Sequence, residues 1–500
     1  MSHALPSLAE LLAGLIEPPP ALAGLVPAGL RLDSRQVEPG DAFLAVAGAS
    51  GHGLAHAGQA RARGASCVLY EPPAPADLED ALAGAPALPV PALRSHLGLL
   101  AERAYGAPSG ELTVVGVTGT NGKTSSVHMI AQALAGAGVE VATIGTLGAG
   151  RPGRLLEGER TTPDVLAVHA LLRRFLDEGV SHVAMEVSSH ALEQGRVDRV
   201  RFAVAVFTNL SRDHLDYHGS MAAYGAAKAR LFDWPGLSAA VINIDDAFGR
   251  ELAGRLPSGV RLLRCGRGDR AGGPLPECRA SAVRAGMAGL AFRLHLPDGE
   301  ADVQAALLGR FNVANLLGVA GTLHAFGWPV AQVAAALSGL SSVPGRMNHY
   351  GGGDRPLVVV DYAHSPDALE QALRSLRGHV EGRLHCVFGC GGERDAGKRP
   401  QMAAVAQALA DAVIVTDDNP RRESGDAIVA QIVAGFARPD EVRIERDRGR
   451  AIAAAVAAAR AGDIVLVAGK GHEPWQEVNG ERRPFDDAAH ARAALEAWSC

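Results

Sequence analysis

The stretch Leu112–Ala135 restricts the fold more than any other part of the chain. An apolar run, Leu112–Val117, predicts a buried strand. It runs into Gly116-Val117-Thr118-Gly119-Thr120-Asn121-Gly122-Lys123-Thr124, and a helical pattern follows from about Ser125 to Ala135. A strand feeding a helix through a glycine-rich turn begins a βαβ unit. Glycines let backbone N–H groups approach a phosphate closely, and the helix N-terminus adds partial positive charge. Lys123 then reaches terminal phosphates, and the Thr124 hydroxyl suits Mg²⁺. The match to the general phosphate loop is loose. That loop has four residues between its first Gly and the Gly-Lys pair, whereas Gly116 and Gly122 have five between them. The plain alternative is an ordinary strand–helix turn.

The same alternation extends along all 500 residues, a length that suits about three domains at roughly 100–200 residues each. Residues 1–92 read as a small α/β unit, with strands Ala42–Ala47 and Ser66–Tyr70, a helix Ala55–Arg63 and a loop Glu71–Pro91. Residues 93–343 open with a helix near Leu93–Tyr105. Strands at Val139–Ile144, His182–Glu186, Ala203–Thr208 and Ala239–Asn243 follow that of the phosphate loop. Helices fall at Val165–Glu178, Met221–Phe232, Ala247–Leu256 and Asn312–Gly327, and Leu262–Leu296 reads as strand-rich and antiparallel. Residues 344–500 hold strands Leu357–Asp361, Leu384–Phe388, Ala412–Thr416, Val442–Glu445 and Ile464–Ala468, with helices between them. The class is therefore α/β with mainly parallel, doubly wound sheets, whose ligands belong at strand C-termini.

A net charge of −6 argues against a global nucleic-acid field. No Lys or Arg precedes Arg31, which predicts no export signal. Apolar runs such as Ala451–Ala459 fall far short of the roughly 20 residues that span a bilayer. Six cysteines form no CxxC pair and read as buried thiols of a soluble cytoplasmic protein. Of 48 basic residues all but four are Arg, the exceptions being Lys123, Lys228, Lys398 and Lys470. A chain that uses Arg almost everywhere keeps Lys where a compact ammonium or a deprotonatable amine is needed.

Several strand ends carry chemistry. Glu186 closes a strand, and its carboxylate suits Mg²⁺. His214, in Asp213-His214-Leu215-Asp216, is a soft choice for that ion and could equally be a polar loop residue. Lys228 on an Ala-rich helix reads on pattern alone as solvated. Asp361 and His364 follow a strand, and Asp418-Asn419-Pro420-Arg421 follows another, an Arg there making a carboxylate site.

Thr118-Gly119-Thr120-Asn121-Gly122-Lys123-Thr124 resembles the ATP loop of the Mur ligases, which add amino acids to the peptidoglycan precursor, in a wider family that includes folylpolyglutamate synthetase. The resemblance spans essentially the whole chain. It implies a UDP-substrate domain (1–92), a central ATPase domain (93–343) and a Rossmann-like amino-acid domain (344–500). It implies ATP contacts at Gly119, Thr120, Asn121, Gly122, Lys123, Thr124, Ser125, Asn312 and Arg346, the last two being otherwise a helix cap or surface residue. It implies catalytic roles for Lys123, Lys228, His214 and Glu186. Thr124, Glu186, His214 and a carbamylated Lys228 would be the Mg²⁺ ligands. Leu32, Ser34, Ala49, Ser50, Gly51, Thr161, Thr162, Ser188, Gln194 and Arg196 would contact UDP-N-acetylmuramoyl-L-alanyl-D-glutamate. In isolation Asp33-Ser34 reads as a turn, and Thr161-Thr162-Pro163 as a cap for the following helix.

Asp418-Asn419-Pro420-Arg421 is similar to the motif of members that add meso-2,6-diaminopimelate. Arg394, Asp418, Asn419, Pro420, Arg421, Gly469 and Glu473 are the implied acceptor contacts. The expectation is an ATP-dependent ligase, monomeric, with no membrane or nucleic-acid partner. A folate-type polyglutamate ligase would share the ATP loop but not Asp33-Ser34-Arg35 or the Arg421 loop. A non-catalytic nucleotide-gated binding protein would not need Lys228.

Overall fold

The computed structural model describes the chain apart from residues 1–3, 49–50, 79–85, 159, 269–274 and 499–500. It divides into two compact units, Met1–Leu262 and Leu263–Cys500.

The first unit begins with a parallel sheet of β1 (Leu30–Arg31), β2 (Ala42–Ala45), β3 (Cys67–Tyr70) and β4 (Ala87–Pro89), paired in that order. β4 corrects the reading of Glu71–Pro91 as loop. The strand is short and contains Pro89, which a sheet tolerates at its edge because no ladder donor is needed there. The helix Leu93–Ala104 packs Leu97, Leu100 and Ala101 into one core with Leu44, Leu69, Val165 and Leu166. That shared core ties the small sheet to the helix Val165–Asp177 of the central region, so the division falls within 93–343.

The larger sheet of this unit uses β5 (Thr113–Thr118), β6 (Val141–Gly145), β7 (Gly148–Arg151), β8 (Arg154–Leu156), β9 (His182–Glu186), β10 (Val204–Phe207) and β11 (Ala239–Asn243). Its order is β11-β10-β5-β9-β6-β7-β8, with β7 and β8 antiparallel and the other pairs parallel. The chain leaves β5 for β6 and later fills the gap with β9, then crosses to β10 on the other side. The crevice produced by that reversal opens at the C-terminal ends of β5, β9 and β10.

The second unit is entered through β12 (Arg261–Gly266). β13 (Cys278–Gly286) runs parallel to β12, and β14 (Gly289–Leu296) and β15 (Gly299–Ala305) continue antiparallel, so the antiparallel expectation fails for the first pair. Helices Asn312–Ala325 and Val330–Ser338 follow. A second sheet holds β16 (Asn348–Gly351), β17 (Leu357–Asp361), β18 (Leu384–Phe388), β19 (Ala412–Val415), β20 (Arg443–Ile444) and β21 (Ile464–Ala468). Its order is β16-β17-β21-β18-β19-β20, and only β16 is antiparallel. Leu357 and Val359 face one core, Val358 and Val360 the other. Both faces are covered, which is why these strands are continuously apolar. The helix Pro366–Arg377 shows the complementary pattern. Ser365 caps it by accepting from Ala368 N, Pro366 occupies the first turn, and Leu369, Leu373 and Leu376 form its buried stripe. A hairpin of β22 (Trp475–Val478) and β23 (Glu481–Pro484) precedes the last helix, Asp487–Glu496. Among the described residues no helix is long and apolar enough to cross a membrane. Cys67, Cys265, Cys278, Cys386 and Cys390 are free and buried.

Candidate active site

The turn after β5 has the geometry of a phosphate cradle. Gly119 adopts φ +147°, and a Cβ there would lie 1.9 Å from Thr208 Oγ1. Gly122, at φ +85°, caps the helix Lys123–Gly136, whose first turn buries Thr124 and Ser125. Residues after β10 hold the loop. Asn209 O accepts from Thr120 N (2.8 Å), Asn209 Oδ1 accepts from Asn121 N (3.0 Å), and Thr208 Oγ1 donates to Asn121 O (2.6 Å). Lys123 Nζ donates to the carbonyls of Gly119 (2.9 Å) and Thr120 (2.8 Å).

Lys228 comes to the same loop from the helix Met221–Ala229. It is 1% exposed and donates to Gly119 O at 2.9 Å, with Nζ 4.4 Å from the centre of the Tyr224 ring. No carboxylate lies within ion-pair reach of it among the described residues. Burial, aided by the Lys123 charge and opposed by Asp213, pushes its pKa down to about 6. That burial favours the neutral amine, so Lys228 is not the solvated cation its helix suggested.

Glu186, 1% exposed, accepts from Thr146 N (2.7 Å) and Thr146 Oγ1 (3.3 Å). His214 stands in the left-handed region at φ +53°. Burial, with the charge of Lys123, lowers its pKa against the pull of Asp213. The His190 ring lies edge-on to it at 4.9 Å, and Tyr217 and His218 complete an aromatic cluster. Among the described residues no three His, Cys, Asp or Glu side chains form a ready metal site.

Four of the substrate candidates of this unit, Leu32, Ser34, Gln194 and Arg196, line a cavity of about 900 Å³ together with Arg35, His56, Arg94 and Arg160, whereas Thr161, Thr162 and Ser188 are not in its lining. Ser34 donates to Gln59 Oε1 (2.7 Å), and Arg196 donates to Gln194 Oε1 and Thr162 O. Asp164, not Thr162, caps the helix Val165–Asp177. Thr162 Oγ1 is thereby released to donate to Glu186 O at 2.8 Å, and it accepts from Ser188 N. Thr161 shares a hydrogen bond with Thr146 (3.1 Å), which links it to Glu186. Ser188 itself caps the helix Ser189–Glu193. Gly51 is exposed outside the cavity lining, and Ala49 and Ser50 lie outside the described residues.

The remaining candidates belong to the second unit. Asn312 is neither cap nor surface residue. It is buried, donating to Leu308 O (2.7 Å) and accepting from Asn315 Nδ2 (2.8 Å). Arg346 lies 5.1 Å from the Tyr362 ring beside Asp361, whose carboxyl is raised by burial. His364 Nδ1 is 2.8 Å from Tyr362 O. Around β18, β19 and β21 the acceptor candidates form one group. Asn419 Nδ2 donates to Glu473 Oε2 (2.8 Å), and Lys470 Nζ donates to Asn419 Oδ1 (3.0 Å) and Glu473 Oε2 (3.1 Å). Asp418 is buried and its pKa raised by that burial, against the pull of Arg448 and Lys470. Its carboxylate sits where a Cβ on Gly469 would be, 2.4 Å away. Pro420 accepts from Glu423 N (3.1 Å), while Arg421, at φ +55°, donates Nη1 to Gly392 O (2.6 Å). Arg394 is exposed.

Asn209, Thr208, Thr146, Arg160 and Lys470 were not assigned by sequence reasoning. Only Lys470 had a signal, its scarcity. Thr146, Thr208 and Asn209 act through contacts between distant strand ends, and Arg160 lines the cavity.

Three family models match the chain: the Mur ligase family catalytic domain over residues 28–105, the Mur ligase middle domain over 117–323, and the Mur ligase glutamate ligase domain over 345–471. Two similar curated relatives are named UDP-N-acetylmuramoyl-L-alanyl-D-glutamate–2,6-diaminopimelate ligase. The one from Xanthomonas campestris pv. campestris (strain 8004) is 58% identical over 93% of both chains, and the one from Xylella fastidiosa (strain 9a5c) 54% identical over 98% of both. A solved structure bearing that same name superimposes with a TM-score of 0.72 at 36% identity, covering 99% of each chain.

Proposed function

The chain belongs to the Mur ligase family, and on that footing we propose that it is the ATP-dependent ligase joining meso-2,6-diaminopimelate to UDP-N-acetylmuramoyl-L-alanyl-D-glutamate. The observation that carries this reading is the Arg421 loop, set beside Arg394, Asn419 and Glu473 in a chain more than half identical to ligases of that name. The three domains are 1–92 for the UDP substrate, 93–343 for ATP and 344–500 for the amino acid. The enzyme works in the cytoplasm as a monomer, on soluble substrates, with no membrane or nucleic-acid partner. It supplies peptidoglycan precursor, and through it cell-wall biogenesis, shape and division.

The UDP-dipeptide lies in the cavity of Leu32, Ser34, Gln194 and Arg196, its acidic groups toward the arginines. Its terminal carboxylate attacks the γ-phosphorus of ATP held by Gly119–Ser125, giving an acyl phosphate and ADP. Lys123 exchanges its loop carbonyls for a terminal phosphate oxygen and offsets the charge moving there. Asn312 and Arg346 serve the nucleotide. The acceptor amine, with its amino-acid head held by Glu473 and Arg394, attacks the acyl carbon. A tetrahedral intermediate collapses and releases phosphate. Phosphoryl transfer takes Mg²⁺, which neutralises phosphate charge.

Thr124, Glu186, His214 and Lys228 would hold the ion. They fit a hard cation once Lys228 carries a carboxylate. Its neutral, desolvated amine is suited to add CO₂, forming an N–C bond and releasing a proton. Arg could not do this.

The test is ATP-derived phosphate together with product mass. Release should require both the UDP-dipeptide and diaminopimelate, with lysine and glutamate poor substitutes. Phosphate release on a folate with glutamate, or none with diaminopimelate, would overturn the reading.

A further inference from the structure

Beneath the two acceptor loops lies an ion pair that takes no part in the reaction steps. Arg399, in the first turn of the helix Lys398–Leu409, is 1% exposed. It donates Nη1 to Glu423 Oε1 at 2.6 Å and Nη2 to Glu423 Oε2 at 2.8 Å, a two-pronged grip. The same guanidinium donates to Gln431 Oε1 (2.7 Å) and to Gly391 O (3.1 Å). Glu423 Oε2 also accepts from Glu393 N at 3.0 Å. The fork and that N–H draw its carboxyl down to about 2, so it stays anionic at any neutral pH.

The pair therefore ties three segments together: the loop after β18, the loop after β19 and the helix Gly425–Val433. Arg394 sits one residue beyond Glu393, and Arg421 two before Glu423. Both loops hold a residue in the left-handed region, Glu393 at φ +54° and Arg421 at φ +55°. Non-glycine residues persist there only when the surroundings fix them. The loops are laced directly as well, Gly392 N donating to Asn419 O (2.9 Å) and Arg421 Nη1 to Gly392 O.

Resting on the proposed ligase activity, we propose that Arg399 and Glu423 are positioning residues that set the spacing of Arg394 and Arg421, and so the match to the two ends of a dicarboxylic acceptor. Neither need touch the amino acid. A guanidinium displaced by about 1 Å loses its geometry, and misplacements of that order cost up to about 100-fold.

The experiment is a double-mutant cycle of Glu423→Gln, Arg399→Lys and the double variant, read as KM for the acceptor, KM for ATP and thermal midpoint. Wild type is first assayed with meso-diaminopimelate, L-lysine and D-glutamate, and the variants are read with whichever it uses best. A wild type that prefers another acceptor contradicts the ligase reading without touching the pair. Each single variant should raise the acceptor KM roughly 10- to 100-fold and leave the ATP KM unchanged. The double variant should be no worse than the worse single, because both break one grip. Unchanged acceptor KM, an equal rise in ATP KM, additive effects, or a fall in thermal midpoint with normal KM values would each overturn the proposal.

Discussion

Two buried lysines, one in each unit, divide the chemistry of this chain. Lys228 in the first unit and Lys470 in the second are 1% and 0% exposed, yet their surroundings are opposite. Lys470 is paired with Glu473 at 3.1 Å, bonded to Asn419, and stands 5.3 Å from the centre of the Trp475 ring. Lys228 meets a carbonyl and the Tyr224 ring, with the positive Lys123 nearby. A buried ammonium with a carboxylate partner is a fixed charge that holds a binding loop together. One without such a partner gives up its proton, and a neutral amine is a nucleophile. The two buried lysines thus sit in opposite surroundings, one a paired brace between Asn419 and Glu473 and one whose burial favours the neutral amine beside the Gly119 loop.

The largest expected effect breaks the phosphate loop itself. Lys123→Ala should lower kcat by about 10³-fold or more, with calorimetric affinity for the UDP-dipeptide nearly unchanged, because Lys123 is absent from the lining of that cavity. Equal loss of both would merge the nucleotide and UDP-dipeptide sites into one.

Lys228→Arg should lower kcat roughly 10²- to 10³-fold, because a guanidinium keeps a long basic side chain there but cannot add CO₂. Activity near wild type would place Lys228 with Lys470, as a fixed charge.

Arg421→Ala should lower kcat/KM for diaminopimelate about 30-fold or more, since losing one partner of a buried charge pair costs about 2–5 kcal/mol. With lysine the change should be small. Arg421 also braces Gly392 O, so a modest loss with both acceptors is expected beneath the selective one. An equal loss would reduce Arg421 to the brace alone.

The smallest effect is the sharpest on the comparison. In CO₂-free, Mg²⁺-free buffer, Lys228→Met should raise the thermal midpoint, because it removes a desolvated amine. Folding holds the Lys228 pKa near 6, below its ordinary 10.5. The unfolded state therefore binds the proton more tightly, and the cost is full below pH 6 and fades as pH rises toward 10.5. The gain from Met should accordingly be largest at low pH. Lys470→Met should lower the midpoint, at a cost of about 1–3 kcal/mol of stability, since Glu473 and Asn419 lose their partner. Shifts of the same sign would erase the contrast.

Much of this was legible in the sequence, for local reasons. β9, β11, β17, β18 and β21 keep the predicted bounds because an apolar strand between turns is a local pattern. The Gly119–Thr124 loop and the Asp418–Arg421 loop are contiguous, so their motifs survive in one dimension. β4, the β7–β8 and β22–β23 hairpins, and the parallel pairing of β12 with β13 were not legible. Each depends on partners far along the chain or on strands too short to show a period. The reading of Lys228 as solvated failed for the same reason, since its burial comes from Gly119, 109 residues away. The Arg399–Glu423 grip, 24 residues apart, left no pattern either.

The central claim, that the unpaired lysine is the one that reacts, is tested most directly by ¹³C NMR of the protein equilibrated with ¹³CO₂. Wild type should show a carbamate resonance that is absent from Lys228→Arg and retained in Lys470→Met. It should weaken, together with ligase activity, as pH falls through about 6 and the amine becomes protonated. A fully active wild type with no such resonance, or one that persists in Lys228→Arg, would contradict the account.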